Sequence, residues 1–193
     1  MLETTVIVSA PIHKSCETKP TAHIAGGGVG IVKGRGGMYL AATNGKMLAV
    51  IPTDAALEPF VGRVIPANVM AHAARPGTKS MLVSLNGTAK GRHQKHGDCE
   101  SDFVDGPFPP VAAIAATAAA GRNYRAVSFD AGFLRTLADS LNAKDGLVTL
   151  LIPEGAGPLV VIPRGEDGFG LLMPCTTDKD CIESGLKRVS ELA

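Results

Sequence analysis

The sequence predicts an α+β fold of antiparallel sheets with few short helices. Three observations carry that expectation. Short runs rich in Val, Ile, Thr and aromatic residues alternate with Gly-rich and Asn-Gly turns along most of the 193 residues, the pattern of strands joined by hairpins. One later stretch has a clear helical apolar period. The order strand, helix, strand, strand, strand occurs twice, over 62–104 and 124–175, a repeat of structural units rather than of letters.

The elements follow in order. "TTVIVSA" (4–10) is a first strand. "IHKSCETKPT" (12–21) stands where a repeat would carry its helix, but it is too polar and ends in proline, so no helix is expected there. "GVGIVK" (28–33) and "GGMYLAAT" (36–43) pair around Gly34-Arg35-Gly36-Gly37. Asn44-Gly45, a pair suited to φ > 0 at both positions, makes a tight hairpin into "KMLAVIP" (46–52). "GRVIP" (62–66) leads to a short helix, "ANVMAHAAR" (67–75), opened by Pro66 as its first residue and ended by Pro76-Gly77. "SMLVSLN" (80–86), "TAKGRHQ" (88–94) and "CESDFV" (99–104) are strands, the first two joined by Asn86-Gly87.

"PFPPVAAIAATAAAGRNY" changes the composition. Pro107, Pro109 and Pro110 interrupt regular structure, and the alanines offer little large apolar surface. The stretch is expected to be a connector, packed at Phe108 and Ile114. Asp130 then caps a helix with Phe133, Leu134, Leu137 and Leu141 on one face and Arg135, Thr136, Asp139 and Asn142 on the other, ended by Gly146. Strands "LVTLLIP", "PLVVIPR" and "GFGLLMP" follow. In the tail, Ile182, Leu186 and Val189 at i, i+4, i+7 predict a short amphipathic helix. The expected organisation is 1–107, a connector over 108–123, a half domain over 124–176 and a tail over 177–193.

Composition excludes several classes. Apolar residues make up 45% and charged residues 19%, enough for a buried core and against disorder. No run of 18 apolar residues occurs and "MLETTVIVSAP" is no secretory signal, so a cytoplasmic protein is expected. The net charge of +1 predicts no bulk attraction to nucleic acid, so DNA contact requires locally clustered Lys and Arg. Cysteines 16, 99, 175 and 181 form no C-x-x-C and are expected to be free thiols.

The glycines of "AHIAGGGVGIVKGRGGMYLAATNGKMLAV" (22–50) invite a phosphate-loop reading that fails. Gly45-Lys46 is followed by Met47 where Ser or Thr is needed, and Leu40 occupies the first glycine position. A G-x-G-x-x-G spacing would need glycine at Ile31 or Lys33. His93, His96 and Cys99 recur at intervals of three, but the segment reads as a polar turn and a solvated role is the better fit. No nucleophile elbow or Ser-His-Asp arrangement is present, so no catalytic residue, metal or cofactor is expected.

Three blocks, in this order, resemble the bacterial DNA polymerase III β subunit, the sliding clamp. "GMYLAATNGKMLAVIP" is similar to that family's middle-domain segment with its A-T-D-G-H-R-L-A core, and "ESDFVDGPFPPVAAI" to its L-V-D-G-R-F-P-D-Y segment. "VSFDAGFLRTLADSLNAKDGLVTLLIP…PLVVIPRGEDGFGLLMPC" is similar to its terminal half-domain, which closes on a V-V-M-P-M-R type end. "GRVIPANVM" falls in the right place between them.

The resemblance implies a DNA clamp-like fold of repeated strand–helix–strands units. It implies domains that close around duplex DNA with helices lining the hole and sheets outside. It implies a non-enzymatic replication and processivity factor, here in a shortened, phage- or mobile-element-like version working as a homo-oligomer. It also implies a hydrophobic pocket that takes a short linear peptide from a DNA polymerase or clamp loader. Carried over, that pocket comprises Thr43, Gly45, Lys46, Met47 and Leu48, then Pro109 and Ile114, then Leu171, Leu172, Met173 and Pro174. Met47 replaces the family's basic residue, Pro110 and Val111 its Asp and Tyr, and Cys175-Thr176 its terminal Met-Arg. Weak, sequence-independent contact with duplex DNA would fall to His72, Arg75, Arg135 and Lys144. The alternative is a clamp-like module that regulates or sequesters replication proteins without encircling DNA. The membrane has no part in either reading.

Overall fold

The computed structural model describes residues 3–6, 11–16, 27–45, 47–75, 78–84, 87–93, 95–120, 126–141, 143–154, 157–164 and 168–193. They fall in two compact units, 1–121 with 186–193, and 122–185.

The first unit contains two repeats. The first has strand β1 (Glu3–Val6), a 3₁₀ turn (Ile12–Ser15), then β2 (Gly28–Gly34), β3 (Gly37–Thr43) and β4 (Leu48–Thr53). A second 3₁₀ turn (Ala55–Phe60) leads to the next repeat: β5 (Val64–Pro66), α1 (Ala67–Ala73), β6 (Thr78–Ser84), β7 (Thr88–His93) and β8 (Gly97–Asp102). The strands form two antiparallel sheets, β4-β3-β2-β5 and β1-β6-β7-β8. Each repeat gives three strands to one sheet and sends its leading strand to the other. β1 pairs with β6, Thr5 opposite Leu82, and β5 pairs with β2, Val29 opposite Ile65.

Period-two alternation sorts the side chains of the first sheet. Val29, Ile31, Met38, Leu40 and Ala42 face a core shared with Ile65, Val69, Met70, Met81 and Val83. α1 comes close to β7 because residue 91 is glycine, where a Cβ would lie 3.1 Å from Val69 O. The other parity, Tyr39, Ala41, Val32, Leu48 and Val50, packs on a second cluster with Val111, Ala115, Val189 and Leu192. The sheet is therefore covered on both faces.

Several expectations change. The polar segment after β1 was expected to hold no helix; its described part forms one 3₁₀ turn that buries Ile12 and Cys16. The turn after β4 was not expected; Asp54 caps it by accepting from Ala56 N, and it buries Leu57 and Phe60 completely. The expected connector contains α2 (Val111–Ala120). Prolines just ahead of a helix suit its first turn, and alanine has the highest helix propensity, so little apolar surface is needed. Only Val111 and Ala115 of it are buried. Pro66 serves as the N-cap of α1 rather than its first residue. Pro76-Gly77 and Asn86 lie outside the described residues.

The second unit holds one repeat, comprising residues 126–129, α3 (Ala131–Ser140), β9 (Val148–Leu151), β10 (Leu159–Pro163) and β11 (Gly170–Leu172). The sheet order is β11-β10-β9, antiparallel. Asp130 caps α3 as expected, its Oδ1 accepting from Gly132 N and Phe133 N. Leu134 and Leu137 face the small core of Leu159, Val161 and Leu172, and Gly170 lets Leu137 approach to where a Cβ would lie. The amphipathic tail is helix α4 (Lys179–Leu192), whose residues from Leu186 onward belong to the first unit. Among the described residues no helix is long and apolar enough to cross a membrane.

Cys16 gives a pH signature of the first core. Its Sγ donates to Gly28 O at 3.3 Å, and burial pushes the thiol from 9.0 up to about 11. The unfolded chain releases that proton first, so the contribution is full below pH 9 and is lost as pH rises through 11. The stability gap between wild type and Cys16→Ala, from urea midpoints, is expected to shrink across that interval.

Candidate functional site

The carried-over pocket residues divide between the two units. In the first, Thr43 to Leu48 form the loop between β3 and β4, where Thr43 pairs with Leu48. It is a four-residue loop and not the expected two-residue hairpin. Gly45 takes φ +80°, while Asn44 does not have positive φ. Thr43 is buried; its Oγ1 donates to Met47 O at 2.6 Å and accepts from Gly45 N at 3.0 Å. Asn44 Oδ1 accepts from Met47 N at 3.0 Å. These bonds fix the loop and leave Met47 exposed at its tip. Lys46 lies outside the described residues.

Leu48 and Ile114 share a groove of about 370 Å³, walled also by Tyr39, Val50, Ala115 and, from α4, Arg188, Val189 and Leu192. Ile114 is half exposed on its rim. Pro109 does not join them. It lines a neighbouring groove of about 440 Å³ with Val61, Phe108 and Val111, where Phe108 fits against Gly30 because no Cβ is there. Tyr39, Val189 and Leu192 were missed as groove residues. The alternation of β3 and the helical period of the tail each held the signal, but nothing local shows that the two meet.

That meeting explains two of the glycines. A Cβ at Gly34 would lie 2.8 Å from Leu192 Cα, and one at Gly36 2.7 Å from Glu191 Cβ. Gly36 N donates to Glu191 O at 2.8 Å, satisfying one of the carbonyls left over at the end of α4. The glycine-rich turn is thus a seat for a helix terminus.

In the second unit, Leu171, Leu172, Met173 and Pro174 line a groove of about 490 Å³ against Phe133 and Thr136 of α3. Their roles differ. Leu172 is 4% exposed and belongs to the core, while Leu171 at 56% and Met173 at 69% are available to a ligand. Phe133, expected on the buried face of α3, is 67% exposed and forms the opposite wall.

The proposed DNA contacts are reduced. His72 is buried, and its Nε2 donates to Gly97 O at 2.8 Å, which turns it away from solvent. Arg75 and Arg135 are exposed, on different units. Lys144 stands in a 3₁₀ turn after α3, its side chain outside the described atoms. The histidine turn is a packed cluster. His93 is buried, its Nδ1 accepts from Lys95 N at 3.0 Å and His96 N at 3.2 Å, and its ring lies 5.9 Å from His72 and 4.5 Å from His96. Among the described residues no group of three His, Cys, Asp or Glu is placed to hold a metal ion.

No protein-family model matches the chain, and no curated sequence matches it. Solved structures do. The DNA polymerase III subunit beta of Borrelia burgdorferi is 14% identical with a TM-score of 0.65, covering 90% of this chain and 48% of that one. A DNA polymerase sliding clamp from Pseudomonas aeruginosa is 15% identical with a TM-score of 0.58, covering 91% and 52%. The clamp from Bacillus subtilis is 16% identical with a TM-score of 0.54, covering 85% and 45%. The chain has the fold of bacterial sliding clamps and spans about half the length of the clamp chains it matches.

The seat of α4 is testable. Gly36→Val places methyl groups where Glu191 lies and is expected to free the end of the helix. Trypsin cleavage after Lys187 and Arg188 should accelerate about tenfold, the equivalent of about 1.4 kcal/mol of local opening.

Proposed function

We propose that this chain is a non-enzymatic, clamp-like replication accessory factor. It captures DNA-polymerase or clamp-loader partners through a short linear peptide and contacts duplex DNA without sequence preference. One observation supports the reading above others. In a sliding-clamp fold, two apolar grooves are lined by residues that the sequence resemblance carries over, Leu48 and Ile114 in one unit and Leu171, Met173 and Pro174 in the other. Each groove is suited to an apolar side chain of an extended peptide, and burying about 100 Å² of it is worth about 2.5 kcal/mol. Met47 and Met173, both exposed, are flexible enough to fit more than one peptide. Leu172 supports the groove floor from the core rather than meeting the ligand.

Duplex DNA falls to Arg75, Arg135 and Lys144. Three cations predict weak binding and a modest salt dependence, with a log–log slope of about −3 or shallower per chain.

A labelled peptide with an apolar clamp-binding motif is expected to bind in fluorescence anisotropy, and Leu171→Asp with Met173→Asp should weaken it at least about tenfold. Both positions are exposed, so the fold should survive, as circular dichroism would verify. No binding, or binding indifferent to these changes, sinks the pocket. Separately, duplex retention should fall with salt and fall further in Arg75→Glu with Arg135→Glu. Peptide capture without any such retention would favour a module that sequesters replication proteins without encircling DNA.

A further inference from the structure

The first unit shows how one repeat completes another. β5, the leading strand of the second repeat, is held on both edges. One edge pairs with β2, and on the other Val64 O accepts from Val104 N at 2.8 Å, just past β8. The second unit has the matching half of this arrangement. Ser128 O accepts from Cys175 N at 2.7 Å, just past β11, in an isolated antiparallel bridge. Residues 126–129 therefore occupy the place of a leading strand. Their other edge has no strand against it among the described residues, and neither does the outer edge of β9.

β9 is the first strand after α3, as β6 is after α1; β2 is the first described strand after the 3₁₀ turn of its repeat. β2 and β6 each receive the leading strand of another repeat; β9 receives none among the described residues. Burial records the difference. Val29, Ile31, Val64, Ile65, Met81 and Val83 are at most 1% exposed. In β9, α3 and residues 126–129 no residue is buried, and Leu151 is half exposed.

The β9 edge is also open chemically. Arg164 N donates to Leu147 O at 3.0 Å. The alternation of an antiparallel ladder then directs Thr149 and Leu151 toward β10, and the N–H and C=O of Val148 and Leu150 outward. Two other edges are blunted, β8 by Asp98, Glu100 and Asp102 and β4 by Pro52. β9 has no charge, proline or bulge, the devices that normally protect an edge.

We infer that the second unit is half of a domain completed by the second unit of another copy of this chain. The two copies exchange residues 126–129 about a two-fold axis, each segment adding to the β9 edge of the other. A second copy is the occupant because, among the described residues, each copy offers both a leading segment and a strand edge with no strand against them. Two identical units fill both at once, as in an isologous contact. Neither β9 nor 126–129 contains a charged residue, so the symmetric contact brings no like charges together. The inference rests on the repeats and does not depend on the proposed function.

Val148→Pro removes an N–H that only the incoming strand would use, and it sits opposite Pro163 at the start of β9. Light scattering on the full chain at tens of micromolar is expected to give twice the mass of one chain. Val148→Pro should give the single-chain mass with an unchanged circular dichroism spectrum. Hydrogen exchange on the wild type provides a measurement that survives misfolding of the variant. The Leu150 amide should exchange about a hundredfold more slowly in the concentrated protein than after dilution to single chains. A single-chain mass at every concentration overturns the inference. So does a dimer in which the Leu150 amide exchanges freely.

Discussion

The pairing of β5 with β2 is the constraint on which the first unit depends. It is a strand of three residues, yet it joins the sheets. On one edge it completes β4-β3-β2-β5, and on the other Val64 O holds the chain leaving β8. Its position fixes where α1 begins, because Pro66 is both the last strand residue and the helix cap. A Cβ at Gly28 would lie 2.5 Å from Ile65 O, so the close approach requires glycine there. With the sheet closed on this side, its inner parity makes the main core, and its outer parity is free to receive α2 and the end of α4.

The fold was legible where one segment contains its own signal. Strands with alternating burial, the Asp130 cap and the tail helix all follow from local pattern. It was obscure where tertiary packing sets the outcome. The 3₁₀ turn at Ile12 buries two residues of an otherwise polar segment. α2 forms from alanines that need little surface because a sheet face is already waiting for them. The candidate site divides in the same way. The resemblance selected Leu48, Ile114 and Leu171 to Pro174, which do line grooves, but it has no access to parity. Leu171, Leu172 and Met173 are neighbours in sequence and alternate between exposed and core. His72 looked like a helix-face cation and is a buried partner of Gly97.

The distribution of apolar surface separates the two units. The first buries Phe60, Ile31, Leu40, Leu57, Ile65, Met70 and Met81 almost completely, with Met47, Val61, Ile114 and Leu186 left about half exposed. The second leaves Phe133, Leu147, Leu151, Phe169, Leu171 and Met173 between 48% and 69% exposed. Some of that surface borders a groove suited to a peptide, and some borders a strand edge suited to another strand. The two uses involve different ends of one three-stranded sheet, β11 and β9.

The crossing of β1 to the far sheet has a consequence for how the chain is made. β1 begins at Glu3 and its partner β6 at Thr78. At about 5–20 residues per second a ribosome needs roughly four to fifteen seconds to supply that partner. For that time β1 has no β6 edge to join, and the loop that must close is long. Newly made chains should therefore hold β1 unpaired until the second repeat has emerged, so the first sheet of this unit to close is the one built from β2, β3 and β4, whose strands follow one another directly.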